Sequence, residues 1–232
     1  MSAPASGSIL ALDTATDQAS VAVVDGAGRA LALRQWESRR RHTVELAPTV
    51  RELLLEAGVT AADLAAVAVA IGPGSYTGLR IGLALAKGLS LATGCAVVGI
   101  PTLDIVAAAC SPPLAVRTDP LWAFLAAGRG RFIACRYPPP KAGADSTGGA
   151  RSGDWPDPAA THAQSPEAIL ELVAAPAWAA GELSGELAVA LAALGLHVLP
   201  LPRDPLLLAR MAQARLAAGW RSDPALGPVY AS

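Results

Sequence analysis

Apolar and polar positions along this chain change period every few residues. Residues 9–13 and 20–25 are apolar runs of strand length, and Asp25-Gly26-Ala27-Gly28 turns the chain into a third run, 29–37. The opening therefore reads as a three-stranded antiparallel meander. Residues 43–57 shift to helical spacing, with Val50, Leu53, Leu54 and Ala57 on one face. Pro48 lies inside that pattern, where its missing N–H predicts a kink or a new helical segment. Gly58 closes the helix, and Thr60 with Asp63 three positions on is a capping signal for a short turn.

The stretch from 66 to 100 organises the rest of the chain. It predicts a buried strand (66–71), a glycine turn (Gly72-Pro73-Gly74-Ser75), a small-residue helix (77–93) and a second strand (95–100). That succession requires a right-handed crossover between parallel strands. A helix over 102–109 ends at Ser111-Pro112-Pro113, and the proline-rich 112–120 marks a boundary between two expected domains, 1–111 and 112–232. Strands at 121–126 and 132–137, joined through Gly128-Arg129-Gly130-Arg131, restart the pattern. Residues 138–166 contain no Ile, Leu, Val, Met or Phe and read as a polar surface loop. Helices over 167–173, 183–194 and 205–218, alternating with strands 177–180 and 197–199, complete an α/β second half. Ser165 and Asp204 each precede a proline at a helix start, as N-caps do. Three antiparallel strands followed by two helix-linked parallel ones, repeated, is the plan of the duplicated actin-like (RNase H-like) α/β fold, an analogy of fold and not of function.

Composition narrows the classes. With 53% hydrophobic residues over 232 positions the chain has ample material for a core. No apolar run reaches the roughly 20 residues of a membrane span, and no basic-then-apolar leader precedes Ile9, so neither a membrane protein nor a secreted one is expected. Eighteen Lys and Arg against 19 Asp and Glu leave a net charge of −1, which argues against nucleic-acid binding through a basic surface alone. The one dense basic run, Arg39-Arg40-Arg41-His42 with Arg34, reads either as a phosphate-facing patch or as a solvated loop. Cys95, Cys110 and Cys135 lack CxxC spacing and read as buried free thiols of a cytoplasmic protein.

Two turns are candidates for chemistry. Asp13-Thr14-Ala15-Thr16 ends the first strand, where an acid and hydroxyls suit a nucleotide phosphate; Asp13, Thr14 and Thr16 are the candidate contacts. Alanine at its third position removes the glycine such a turn favours. Gly72 to Gly78 lacks the Gly-Lys-Ser/Thr of a Walker loop and the third glycine of a dinucleotide fingerprint. In the helix after it Gly78, Gly82, Ala86 and Gly88 form a small-residue ridge beside Leu79, Leu83 and Leu85, which suits close packing inside the domain or against a partner. His42, His162 and His197 form no metal-ligand spacing, and no GxSxG elbow is present.

The runs ILALDTATDQASVAVVDGAG and VAIGPGSYTGLRIGLALAKGLSLATGCAVVGIPTLDIVA resemble the bacterial TsaB (YeaZ) family, with Tyr76 where that family usually has Phe. The resemblance is tight over 9–109 and thins beyond Pro112. It implies an actin-like, non-catalytic subunit in the synthesis of N6-threonylcarbamoyladenosine (t6A) at A37 of tRNAs reading ANN codons. The larger homologue, TsaD, carries a metal-binding H-x-x-x-H pair at the start of the helix after the second parallel strand; Thr102 and Val106 stand at those positions here. The resemblance implies a cytoplasmic protein with no intrinsic cofactor, with TsaD, the ATPase TsaE and tRNA as partners, ATP or ADP at the complex interface, and a homodimer when TsaD is absent. The expected docking residues are His42, Leu54, Gly78, Leu79, Arg80, Gly82, Leu83, Ala86 and Lys87, so Gly82→Arg or Leu83→Asp is expected to break the pairing and spare the fold. The competing expectation is an ATP-dependent small-molecule kinase, disfavoured by the lack of an acid in Gly128-Arg129-Gly130-Arg131.

Overall fold

The computed structural model describes residues 7–39, 41–110, 118–139, 162–199, 203–220, 222–223 and 225–230. The proline boundary at 112–117, Arg40 and most of the expected polar loop lie outside them.

Two five-stranded mixed sheets are stacked with helices between and outside them. The first contains β1 (Ser8–Asp13), β2 (Gln18–Val24), β3 (Ala30–Glu37), β4 (Leu64–Ala70) and β5 (Ala96–Ile100), in the order β3-β2-β1-β4-β5. β1, β2 and β3 are antiparallel, whereas β1, β4 and β5 run parallel. The second contains β6 (Leu121–Ala126), β7 (Phe132–Tyr137), β8 (Ala163–Gln164), β9 (Trp178–Gly181) and β10 (His197–Leu199), in the order β10-β9-β6-β7-β8. Its pairings repeat the plan: β6, β7 and β8 antiparallel, β6, β9 and β10 parallel. This is the duplicated actin-like architecture. β8 is a correction to the loop expected over 138–166, because Ala163 and Gln164 pair with Ile133 and Phe132. A two-residue edge strand without bulky apolar side chains leaves no periodic signal.

The central strands are buried on both faces, as parallel strands between helical layers must be. On one face of the first sheet Leu10, Leu12, Val21, Val23, Val67 and Val69 meet α1 (His42–Glu56) and α2 (Tyr76–Thr93) through Leu46, Val50, Leu53, Leu83 and Ala86. The other face is lined mostly by smaller side chains, Ala11, Ala22, Ala66, Ala68 and Ala70, against Leu208, Ala209, Met211 and Ala212 of α6 (Pro205–Ala217). Short side chains on both surfaces let that helix approach the sheet closely. α6 therefore covers the first sheet, although the chain order suggested that it completes the second half.

α3 (Thr102–Ala109) lies between the sheets. Ile105 and Ala108 join the first core, while Leu103, Val106 and Ala107 pack on β6, β7 and β9. At that junction the Tyr137 hydroxyl donates to Asp104 Oδ1 at 3.0 Å, and Arg215 of α6 lies 3.9 Å from Asp104 Oδ2. Burial pushes the Asp104 carboxyl up to about 6, against the lowering effects of Tyr137 and Arg215. The outer face of the second sheet packs on α4 (Pro166–Leu172) and α5 (Gly185–Ala193) through Ile169, Leu187 and Leu191.

The expected caps form. Ser165 and Asp204 accept from Ala168 N and Leu206 N at 3.3 and 2.9 Å, and Asp63 accepts from Thr60 N at 2.8 Å. α1 runs through Pro48 as a single helix. Pro48 is on the solvent side, so the carbonyl it leaves without a helical N–H faces water.

Candidate functional site

The carboxyl ends of β1, β6 and β9 converge, the position at which α/β sheets commonly hold ligands. Asp13 ends β1, and its Oδ1 accepts from Ala15 N at 3.0 Å, closing the turn on itself. The other oxygen, Oδ2, accepts from Arg203 Nε at 2.7 Å. Arg203 Nη2 donates to Thr16 Oγ1 at 2.8 Å and to Gln18 O at 3.2 Å, while Nη1 pairs with Glu182. Thr16 Oγ1 donates to Glu182 Oε1 at 2.9 Å, and Glu182 Oε2 accepts from Ala126 N at 3.3 Å. Burial works against the Arg203 charge, but the Asp13 and Glu182 carboxylates outweigh it and hold its pKa above the usual value. Asp13, Thr14 and Thr16 thus lie together at the end of β1, with each polar side chain already engaged by the chain. Arg203 and Glu182 were not legible as members of this site, since 21 residues separate them and no spacing motif links either to Asp13.

The glycine turn before α2 is clasped to the same place. Thr14 Oγ1 donates to Gly78 O at 2.8 Å, and Ser75 N donates to Ala15 O at 2.6 Å. A Cβ at Gly74 would overlap Ala15 O, at Gly78 it would overlap Thr14 O, and at Gly82 it would strike Thr14 Oγ1. Ser75 caps α2 by accepting from Gly78 N at 3.2 Å. Gly72 has a positive φ of 113°, and its N–H donates to Thr102 Oγ1 at 3.1 Å while its carbonyl accepts from Thr102 N at 2.8 Å. Thr102 and Val106, which the family resemblance sets against the TsaD histidines, are structural here: the first fastens this turn and the second packs in the core between the sheets.

The chain after α6 returns to the turn. Val229 N donates to Ile71 O at 2.7 Å, and Tyr230 stacks on Tyr76 with ring centroids 4.9 Å apart. Arg80 lies over the Tyr76 ring at 4.6 Å. Nothing in the local sequence of 227–230 signals this strap, which depends on a contact between residues far apart in the chain.

The expected docking ridge needs correction. Gly78, Leu79, Gly82, Leu83 and Ala86 are buried against the chain's own sheet and Asp13 turn, and His42 and Leu54 are buried as well. The glycines admit the chain's own backbone, so Gly82→Arg or Leu83→Asp would damage the core. Arg80 and Lys87 alone of the expected set are exposed, on an outer stripe with Ala84 and Leu91. Val44 and Leu55 project from α1 in the same way, with Leu91 91% and Leu55 71% exposed. Among the described residues neither ring nitrogen of His42 is in hydrogen-bonding geometry. Burial lowers its pKa, opposed by the charges of Asp17, Glu45 and Asp13.

Among the described residues no three His, Cys, Asp or Glu side chains are grouped to hold a metal ion, and no helix is long and apolar enough to cross a membrane.

The geometry has counterparts in known proteins. A family model described as TsaD, tRNA N6-adenosine threonylcarbamoyltransferase, matches residues 36–148. The tRNA threonylcarbamoyladenosine biosynthesis protein TsaB of Escherichia coli K12 is 41% identical over 101 residues, covering 43% of this chain and 42% of that protein. TsaB of Buchnera aphidicola is 37% identical over 99 residues, 43% of this chain and 46% of the relative. The matched region thus spans less than half the length of these curated relatives. The solved structure of YeaZ from Pseudomonas aeruginosa superposes with a TM-score of 0.66 at 26% identity, covering 97% of this chain and 99% of that one. With two actin-like sheets, a GPGS turn seated on the first β-turn and TsaB relatives over the N-terminal half, the chain is similar to the TsaB (YeaZ) proteins in both sequence and fold.

Proposed function

We propose that this chain is the non-catalytic partner of TsaD in the complex that makes t6A at A37 of tRNAs reading ANN codons, working in the cytoplasm with the ATPase TsaE. The observation that carries the reading is the fate of the two positions where TsaD has its metal histidines. Thr102 holds the Gly72 turn through two hydrogen bonds, and Val106 is buried between the sheets, so neither side chain is available for metal chemistry. The relatives named TsaB and the match to a TsaD model support the same pathway.

The docking surface in this reading is the outer stripe of α2, Arg80, Ala84, Lys87 and Leu91, with Val44 and Leu55 of α1. Burying even one leucine contributes about 1.5–3 kcal/mol, so a few such side chains support an interface with TsaD, or with a second copy when TsaD is absent. The kinase reading is weaker because Asp13, the acid it needs for a metal–nucleotide group, is occupied by Arg203. Deleting the gene and measuring t6A by mass spectrometry of tRNA tests the proposal. Loss of t6A, restored by the wild-type gene, is expected, and unchanged t6A overturns it.

A further inference from the structure

The cluster around Asp13 joins both sheets and involves no partner, so it stands apart from the t6A reading. Asp13 comes from β1 of the first sheet, and Glu182 follows β9 of the second. Arg203 comes from the segment leading into α6. Its side chain is 4% exposed and that of Asp13 2%, so this ion pair is out of water. An uncompensated carboxylate there would be costly, and a planar guanidinium with forked donors meets both acids and the Thr16 hydroxyl together.

We propose that Arg203 is a resident cation that locks the cleft between the two sheets, standing where a divalent cation would otherwise bridge Asp13 and Glu182. Several features favour a lock over an incidental surface pair. The guanidinium reaches four acceptors, on β1 and its turn, on the start of β2 and on the residue after β9. The acids have further anchors, Ala15 N for Asp13 and Ala126 N for Glu182, so their oxygens are held in place without Arg203. Two anchored carboxylates and a hydroxyl form an oxygen donor set of the type that hard divalent cations accept. The wild-type chain satisfies that set internally, which keeps the sheets together with no ligand in the cleft.

The test uses the full chain in three forms, wild type, Arg203→Ala and the charge-stripped triple variant Asp13→Asn, Arg203→Met, Glu182→Gln. Melting is followed with and without millimolar Mg²⁺, and Mn²⁺ binding is read by electron paramagnetic resonance. Wild type is expected to melt at the same temperature in both conditions and to leave Mn²⁺ free. Arg203→Ala is expected to melt about 10 °C lower, as breaking one partner of a buried pair does, to recover in Mg²⁺, and to bind Mn²⁺. The triple variant is expected to lose the Mg²⁺ response and the Mn²⁺ signal while melting well above Arg203→Ala. If Arg203→Ala is insoluble, Arg203→Lys replaces it; keeping the charge without the fork, it should melt below wild type and bind Mn²⁺ weakly. The proposal is overturned if the substituted chain melts like wild type, if Mg²⁺ stabilises wild type as much as the variant, or if Mn²⁺ binding persists in the triple variant.

Discussion

Thr14 donates its hydroxyl to the Gly78 carbonyl at 2.8 Å, joining the first β-turn to the first turn of α2 across 64 residues. The close approach of Thr14 to α2 accounts for the glycines at 78 and 82 but not for Gly88, so the glycines of the helix are inequivalent. At Gly78 an added methyl would overlap backbone, at Gly82 it would strike the Thr14 side chain, and at Gly88 it would meet nothing.

Gly78→Ala is therefore expected to destabilise the chain by about 1–3 kcal/mol, the usual cost of overpacking. Gly82→Ala should be similarly harmful alone and substantially relieved by Thr14→Ala, which removes the obstructing atom. Gly88→Ala should stabilise by up to about 1 kcal/mol through helix propensity. Urea denaturation of the three single variants and the Gly82/Thr14 pair checks the order, and equal effects at Gly78 and Gly88 would refute it.

Substitutions on opposite faces of α2 separate folding from docking. Leu83→Asp buries an unpaired charge and should lose the folded melt altogether. Leu91→Asp and Ala84→Arg, on the exposed stripe, should melt within about 0.5 kcal/mol of wild type, and if the proposed pairing with TsaD holds they should weaken it at least tenfold in pull-down and calorimetry. Undiminished binding by both would place the interface elsewhere.

Asp104 makes stability depend on pH. Its carboxyl is raised by burial from 3.8 to about 6, so the folded chain holds this proton more tightly than the unfolded chain. The associated stability is present in full below pH 4 and is lost as pH rises to about 6, a change of about 3 kcal/mol at most. Asp104→Asn should flatten this part of a stability–pH profile measured by urea denaturation, while both proteins remain level with respect to this group above pH 7. Tyr137 and Cys135 face the same junction; burial raises both, Cys135 to about 11, so they remain protonated throughout that window.

Cys95, Cys110 and Cys135 are all buried and unbridged. A thiol reagent should find none of them on the native protein and all of them in denaturant. Fast labelling of Cys135 under native conditions would contradict its packing beside Tyr137 and Ile133.

The chain's own pattern was sufficient for every described strand except β8, for most helix starts, the parallel crossover through 66–100 and the repeat of one α/β plan. Such features depend on neighbours in sequence: alternation, helical spacing, and caps such as Ser165 and Asp204 act over a few residues. The acid and hydroxyls of 13–16 and the glycines of 72–78 also marked the two turns that became the site. Which way α2 faced was not decided locally, because glycine suits close approach by any backbone, and here that backbone was the chain's own at Thr14. The same holds for α6, whose alanines match the small-residue face of the first sheet, and for Arg203, which meets Asp13 from 190 residues away. Sequence period records that a face is apolar or small; only tertiary packing decides what covers it, and only there do distant charges come close enough to neutralise one another.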